Sequence, residues 1–171
     1  MIIVVNDANI LIDVIKLDLV NEFFALPFKF HTTQLIIDEE LYDEQLEQLQ
    51  PHIDEGELEV RSFTVHEMTK IATINQEKPQ LSNKDCSAFF CADDLDAVLL
   101  TSDNNLRRFA QQKNVEVHGH LWLFDQLVDC GCIQARQAAS KLDELDIINP
   151  RLKLPIDECD KRKRKWITRR K

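Results

Sequence analysis

The 171-residue chain has few of the residues that make turns and cross-links: 3 glycines, 5 prolines and 5 cysteines. A hairpin-rich β architecture is therefore disfavoured, because tight hairpins need positive-φ positions that glycine fills at least cost. Helices should dominate. Cys86, Cys91, Cys130, Cys132 and Cys159 are odd in number and lack framework spacing. Cys130-Gly131-Cys132 is the one close pair, and no second CxC, CxxC or HxxxH completes a tetrahedral zinc set. These gaps argue against a disulfide scaffold and a structural zinc, and they suit reduced thiols in a cytoplasmic protein. Long apolar runs are missing as well. The opening MIIVVNDANILID breaks at Asn6-Asp7 without a basic flank, so neither a signal peptide nor a membrane span is expected.

Basic residues are scarce except at the end. The formal net charge is −9, yet eight of the 21 basic groups fall in Lys161–Lys171, leaving 13 basic against 30 acidic groups in the first 160 residues. An acidic body with a basic tail is not the footprint of a protein that clamps nucleic acid with its whole surface. It suits a well-solvated surface or a concentration of metal-binding carboxylates. The tail, 156–171, is expected to be a disordered charged end that could add non-specific RNA affinity.

Short apolar runs alternate with helical segments. Ile2–Val5, Phe28–His31, Glu57–Phe63, Val98–Thr101 and Val115–Val117 read as strands. Helical patterns follow Asp7, start at Thr32 or Thr33 and run to Pro51, and cover Thr64–Glu77, Ser82–Asp94, Asn104–Lys113, Leu121–Val128 and Ala135–Leu145. Strands alternating with helices predict an α/β fold, one domain with a mainly parallel sheet of about five strands flanked by helices. The apolar cluster Leu121 to Phe124 is denser than one helix face requires, which suggests core packing or a partner surface.

Three carboxylates stand where such a sheet has its carboxyl edge. Asp7 and Asp103 each follow a strand by two residues, and Asp85 lies in the first turn of a helix. Each also has a structural role available: Asp7 and Asp103 can cap helices, and Ser82-Asn83-Lys84-Asp85 matches a capping box. Gathered on one rim, however, these acids repel one another and need a cation to stay ionised together. Hard divalent cations take oxygen ligands, and that chemistry suits phosphodiester hydrolysis.

NDANILID at Asn6–Asp13 resembles the opening signature of the PIN-domain nucleases. Glu40 before Leu41 resembles the family's second acid, Asp85 its third, and Thr101-Ser102-Asp103 its fourth, a likeness that covers about residues 1–127. The resemblance implies a single PIN-like domain over residues 1–155, with a core at 1–127 and a helical extension at 128–155. It implies that Asp7, Glu40, Asp85 and Asp103 are the catalytic acids and bind one or two Mg²⁺ or Mn²⁺ ions. Asn9 would orient Asp7, and Thr101 would do the same near Asp103. Glu39 competes with Glu40, since adjacent helical positions differ by about 100° and only one can face the cleft; the acid-then-leucine pattern favours Glu40. Lys84, Arg107 and Arg108 are candidates to hold substrate phosphates. The implied activity is endoribonucleolytic cleavage of single-stranded RNA, as in the VapC-type toxins, which pair with a protein antitoxin and often form homodimers.

Two other strand-end-acid enzymes and folds fit less well. Haloacid dehalogenase-like phosphatases want Asp-x-Asp after the first strand, and the third position here is Asn9. A phospho-receiver signalling domain needs an acceptor aspartate after the third strand and a lysine after the fifth, where this chain has Thr64-Val65-His66 and His118-Gly119. A catalytically silent PIN-like binding or regulatory module remains the third reading.

Overall fold

Five apolar segments pair into one all-parallel sheet of order β3-β2-β1-β4-β5, comprising β1 (Ile2–Asn6), β2 (Phe28–Thr33), β3 (Leu58–Arg61), β4 (Val98–Leu100) and β5 (Val117–His118). The computed structural model describes residues 1–168, so Arg169, Arg170 and Lys171 of the expected basic tail lie outside the described residues. Parallel strands are joined by crossovers that cover both faces, which is why these strands read as continuous apolar runs. Along β1, Val4 packs into one core and Val5 into the other. The first core takes helices α1 (Ala8–Lys16), α2 (Val20–Phe24), α4 (Asp43–Asp54), α8 (His120–Asp129), α9 (Ala135–Ile148) and α10 (Ile156–Thr168). The second is built mainly from α6 (Asn83–Asp94) and α7 (Asn104–Gln112), with Ile36 of α3 (Gln34–Glu40) and Ile71 of α5 (Val65–Glu77).

Strand order reverses beside β1: the chain runs outward through β2 and β3, then returns to place β4 on the other side of β1. In open α/β sheets that switch point leaves a crevice beyond the carboxyl ends of the two central strands. Here those strands are β1 and β4, the two followed by aspartates.

Four local expectations change. The helix expected from Thr33 to Pro51 is two helices, α3 and α4, because Leu41 turns extended (φ −93°, ψ 132°) and Gln45 Oε1 accepts from the Tyr42 amide at 3.0 Å to start a new helix. Pro51 does not stop α4, which runs to Asp54 with Leu49 buried beneath it. As far as Thr168, the tail expected to be disordered forms α10, anchored by Trp166, which is 1 % exposed. A run such as KRKRKWIT is solvated on one side only, and Trp166 supplies its docking face while Ile167 stays exposed. The core boundary expected at residue 127 falls inside α8, whose Leu123, Phe124 and Leu127 share a core with Val4 and Leu100 of the sheet and with Leu142 and Trp166.

The extension is also pinned by polar contacts. Asp13 of α1, 3 % exposed, accepts from His120 Nε2 and from Asn149 Nδ2, each at 2.8 Å. One buried carboxylate thus joins α1, the start of α8 and the end of α9. No helix among the described residues is long and apolar enough to cross a membrane.

Candidate active site

Asp7 is the first residue past β1. Its amide donates to the Leu100 carbonyl of β4 at 3.0 Å, which joins the two central strands at the crevice. Its carboxylate is held at both ends: Oδ1 accepts from the Ala8 amide at 2.7 Å and Oδ2 from Thr101 Oγ1 at 2.7 Å. The same Thr101 hydroxyl accepts from the Asp103 amide at 3.1 Å. Asp103 in turn caps α7, its Oδ1 accepting from the Leu106 amide at 2.7 Å. A single buried threonine therefore fixes two aspartates relative to each other. Asp85 sits in the capping box of α6, with Oδ2 accepting from the Ser82 amide at 2.7 Å and Ser82 Oγ accepting from the Asp85 amide at 3.1 Å. Capping and gathering at the rim are compatible, because a carboxylate offers about four lone-pair positions and a cap uses one of them.

Neighbouring acids influence the titration of two of these carboxylates. Burial pushes the Asp7 carboxyl from 3.8 up to about 6, and the charges of Asp85 and Asp103 push the same way, against the stabilising hydrogen bonds from Thr101 and Ala8. Asp85 is also raised, first by burial and further by Asp103, while the Ser82 bonds and Lys84 oppose the shift. Burial first, and neighbouring acids second, thus hold Asp7 and Asp85 toward protonation.

Thr101 is the positioning residue to test. In Thr101→Val, Asp7 loses its main hydrogen-bond donor and the Asp103 amide loses its acceptor. The expected cost is about 1–3 kcal/mol in urea unfolding. Unchanged stability would rule out this positioning role.

The remaining expected residues lie around this centre in different ways. Glu40 reaches the Lys84 ammonium in a close ion pair, and Glu39 lies 3.8 Å from the same nitrogen. The Glu40 hydrogen bond holds the Lys84 pKa up. Lys84 is thus committed to acids of α3 and is not a free phosphate contact as expected, while Glu40 is the more closely engaged of the two glutamates. Asn9 stands exposed in the first turn of α1, and the orienting contact to Asp7 comes from Thr101 instead. The helix begins at Ala8, so position 9 has already turned about 100° from the position before it. Arg107 and Arg108 diverge for the same reason. Arg107 is half-buried beside Gly119, and Arg108 is exposed in a separate depression with Lys78 and Gln80.

Asn6, His31 and Thr32 contribute contacts that sequence patterns did not single out. Asn6 Nδ2 donates to the His31 carbonyl at 3.2 Å and Thr32 Oγ1 to the Asn6 carbonyl at 3.1 Å, locking the ends of β1 and β2 beneath the rim. A polar pair at the end of two otherwise apolar strands was the available signal.

A sequence model of the family described as PIN domain matches residues 3–158. The chain belongs to the PIN-domain family. The match runs past the residues that carry the sequence resemblance and takes in α8, α9 and the start of α10, so the extension is part of what this PIN domain shares with its family. Among solved structures, it is similar to a PilT N-terminus domain protein from the hyperthermophilic archaeon Sulfolobus solfataricus P2, at 16 % identity over 75 % of this chain and 92 % of that one, with a TM-score of 0.45. No curated protein matches it. PIN domains are generally nucleases, and this one has the nuclease-type fold.

Members of the family typically use divalent metals. The residues of this PIN domain fit such an ion by chemistry: Asp7, Asp85 and Asp103 offer carboxylate oxygens, and neighbouring acids push Asp7 and Asp85 away from the ionised form. Among the described residues, no three His, Cys, Asp or Glu side chains are grouped closely enough to hold an ion by themselves. Mg²⁺ does not require three, since it is usually bound through one or two carboxylates, with waters and substrate phosphate completing the shell.

Proposed function

We propose that this PIN domain is a divalent-metal-dependent endoribonuclease that hydrolyses phosphodiester bonds of single-stranded RNA. The observation that carries the reading is Asp7: a buried carboxylate at the switch point, held at both ends and raised to about 6 with the charges of Asp85 and Asp103 among the causes. A site that costs this much to keep ionised is matched to a cation. Asp7, Asp85 and Asp103 would hold Mg²⁺ or Mn²⁺, with Glu40 approaching from the end of α3. When bound, the ion supplies activation of water and neutralisation of charge developing on the phosphate.

The chain's own residues position the reaction. Asp7 and Asp103 are set by the Thr101 hydroxyl, and Asp85 by the Ser82 box, so each acid is held in place by its own hydrogen bonds without substrate. Arg107, one turn beyond Asp103 on α7, offers positive charge for the phosphate backbone. The Lys84–Glu40 pair keeps one acid of the outer rim neutralised. The toxin role implied by the family resemblance, with a protein antitoxin or a second copy as partner, belongs to the same proposal. Its expected result is growth arrest on induction in a bacterial host, lost with Asp7→Asn.

The direct test is cleavage of several end-labelled single-stranded RNAs in Mg²⁺ or Mn²⁺, with EDTA and single-stranded DNA as controls. Cleavage of RNA that stops in EDTA is the expected result. If no RNA is cut and calorimetry shows no Mg²⁺ uptake by the folded protein, the catalytic reading falls and a silent binding module takes its place.

A further inference from the structure

Beside the carboxylate rim lies a groove of about 520 Å³ between the ends of β4 and β5, the start of α8 and the loop that joins α9 to α10. In a chain of net charge −9, no acidic side chain lines it, whereas Arg107, Lys153 and Arg162 do. Arg162 is already paired with Asp125 and Glu158. Among the described residues, Arg107 and Lys153 have no acidic partner, so they are the uncompensated charges of the groove. Ser102 and Asn104, the neighbours of Asp103, form its near end. The groove therefore adjoins the chain segment that carries Asp103.

Gly119 gives this groove a built feature. Gly56 and Gly131 have φ of +75° and +74° with open space around them, so their backbone conformation explains them. Gly119 has an ordinary φ of −131°. What it provides is room: a Cβ there would stand 2.6 Å from a guanidinium nitrogen of Arg107 and 3.5 Å from the Thr101 carbonyl. The missing side chain lets Arg107 lie across the groove floor, next to the residue that positions Asp7 and Asp103. The one large aromatic ring of the lining, Trp122, is already stacked on His118 (centroids 4.6 Å) and on Phe28 (5.6 Å). A ring stacked on two neighbours is a poor platform for a base, so the groove is built for charge and not for stacking.

Resting on the nuclease reading above, we propose that this groove holds a backbone phosphate of the single-stranded RNA lying across the carboxylate rim, with Arg107, seated by Gly119, as the principal contact and Lys153 as the second. Recognition there is of phosphate, so it is indifferent to base sequence.

The test is equilibrium binding of a fluorescein-labelled single-stranded RNA, followed by anisotropy across a salt series in Mg²⁺. The full chain carrying Asp7→Asn serves as the parent so that the probe stays intact, and cleavage is measured in parallel with Asp7 restored. Arg107→Ala is expected to weaken binding about threefold or more and to make the slope of log K against log salt shallower by about 0.7, the value for one phosphate contact on a single strand. Lys153→Ala should act in the same direction. Gly119→Ala keeps every charge but displaces a flexible side-chain end, so it should fold normally and weaken binding, and combined with Arg107→Ala it should add nothing further. Lys16→Ala, at the far end of α1 from Asp7, is the control expected to bind like the parent. Thermal melts establish that each variant is folded. If Arg107→Ala binds with parental affinity and slope while the Asp7 chain cleaves, the groove assignment is wrong and the nuclease reading stands. If the parent does not bind single-stranded RNA and the chain with Asp7 restored does not cleave it, both fall together.

Discussion

Asp7→Asn is expected to lower metal-dependent cleavage by about a hundred- to a thousandfold, the range for removing one preorganised electrostatic group from an active site, while making the metal-free protein more stable at neutral pH. Both effects follow from one carboxylate. Its pKa is raised from 3.8 to about 6 by burial first, then by neighbouring acids. The folded state therefore holds the proton more tightly than the unfolded chain does. Protonation favours the fold, and the contribution is fully present below the unfolded value and lost as pH rises through the folded one. Between pH 4 and pH 7 the metal-free protein should lose about 2 kcal/mol from this group alone, with Asp85 adding in the same sense. This slope is opposite to ordinary acid denaturation. Asparagine removes it and keeps the geometry: its oxygen can accept from Ala8, and its amide can donate to the Thr101 hydroxyl. Urea unfolding from pH 4 to 8 in EDTA, with and without added Mg²⁺, measures the effect. Mg²⁺ should restore stability above pH 6 in the parent and not in the variant. Matching pH profiles for parent and variant would refute the account.

Trp166→Ala carries the largest expected loss of stability. The indole is buried, its Nε1 donates to Asp125 Oδ1 at 2.8 Å, and its ring lies 6.2 Å from Phe124. Asp125 also takes the Arg162 guanidinium at 3.0 Å, so one acid of α8 holds α10 at two points. Truncating a buried tryptophan costs about 3–5 kcal/mol. Because α10 is terminal, the loss is limited by the docking energy of that helix, beyond which α10 detaches and the sheet remains folded. Trypsin should then cut within the Lys/Arg-rich α10 much faster in the variant, leaving a resistant core. Equal digestion of parent and variant would show that the tryptophan does not anchor the helix. Detachment would also remove the Arg162 wall of the groove, so RNA binding should weaken along with it.

The strands and the three central acids were legible in the sequence for related reasons. A parallel sheet covered on both faces needs apolar residues at every position of its inner strands, so Ile2–Val5 and Val98–Leu100 stand out as runs. The acids that end those strands also cap the helices that follow, and capping has a short-range signature. Less local features did not show. The break at Leu41-Tyr42 lies between two acidic helical segments of similar composition and depends on Gln45 reaching back to the Tyr42 amide. The engagement of Lys84 with Glu40 joins α3 to α6 across 44 positions of sequence. Whether Arg107 or Arg108 faces the groove turns on the seating of α7 against Gly119.

By itself, then, the order of apolar runs, caps and acids in this chain determined an α/β architecture and located Asp7, Asp85 and Asp103 at element boundaries, because strand burial and helix capping act over a few residues. Only the tertiary structure decided which groups act together. Thr101 joins Asp7 to Asp103 through one hydroxyl, Gly119 clears space for Arg107, and Trp166 turns a charged tail into a docked helix. Each of these is a contact between elements distant in the chain, fixed by how helices settle on the sheet and not by any local preference.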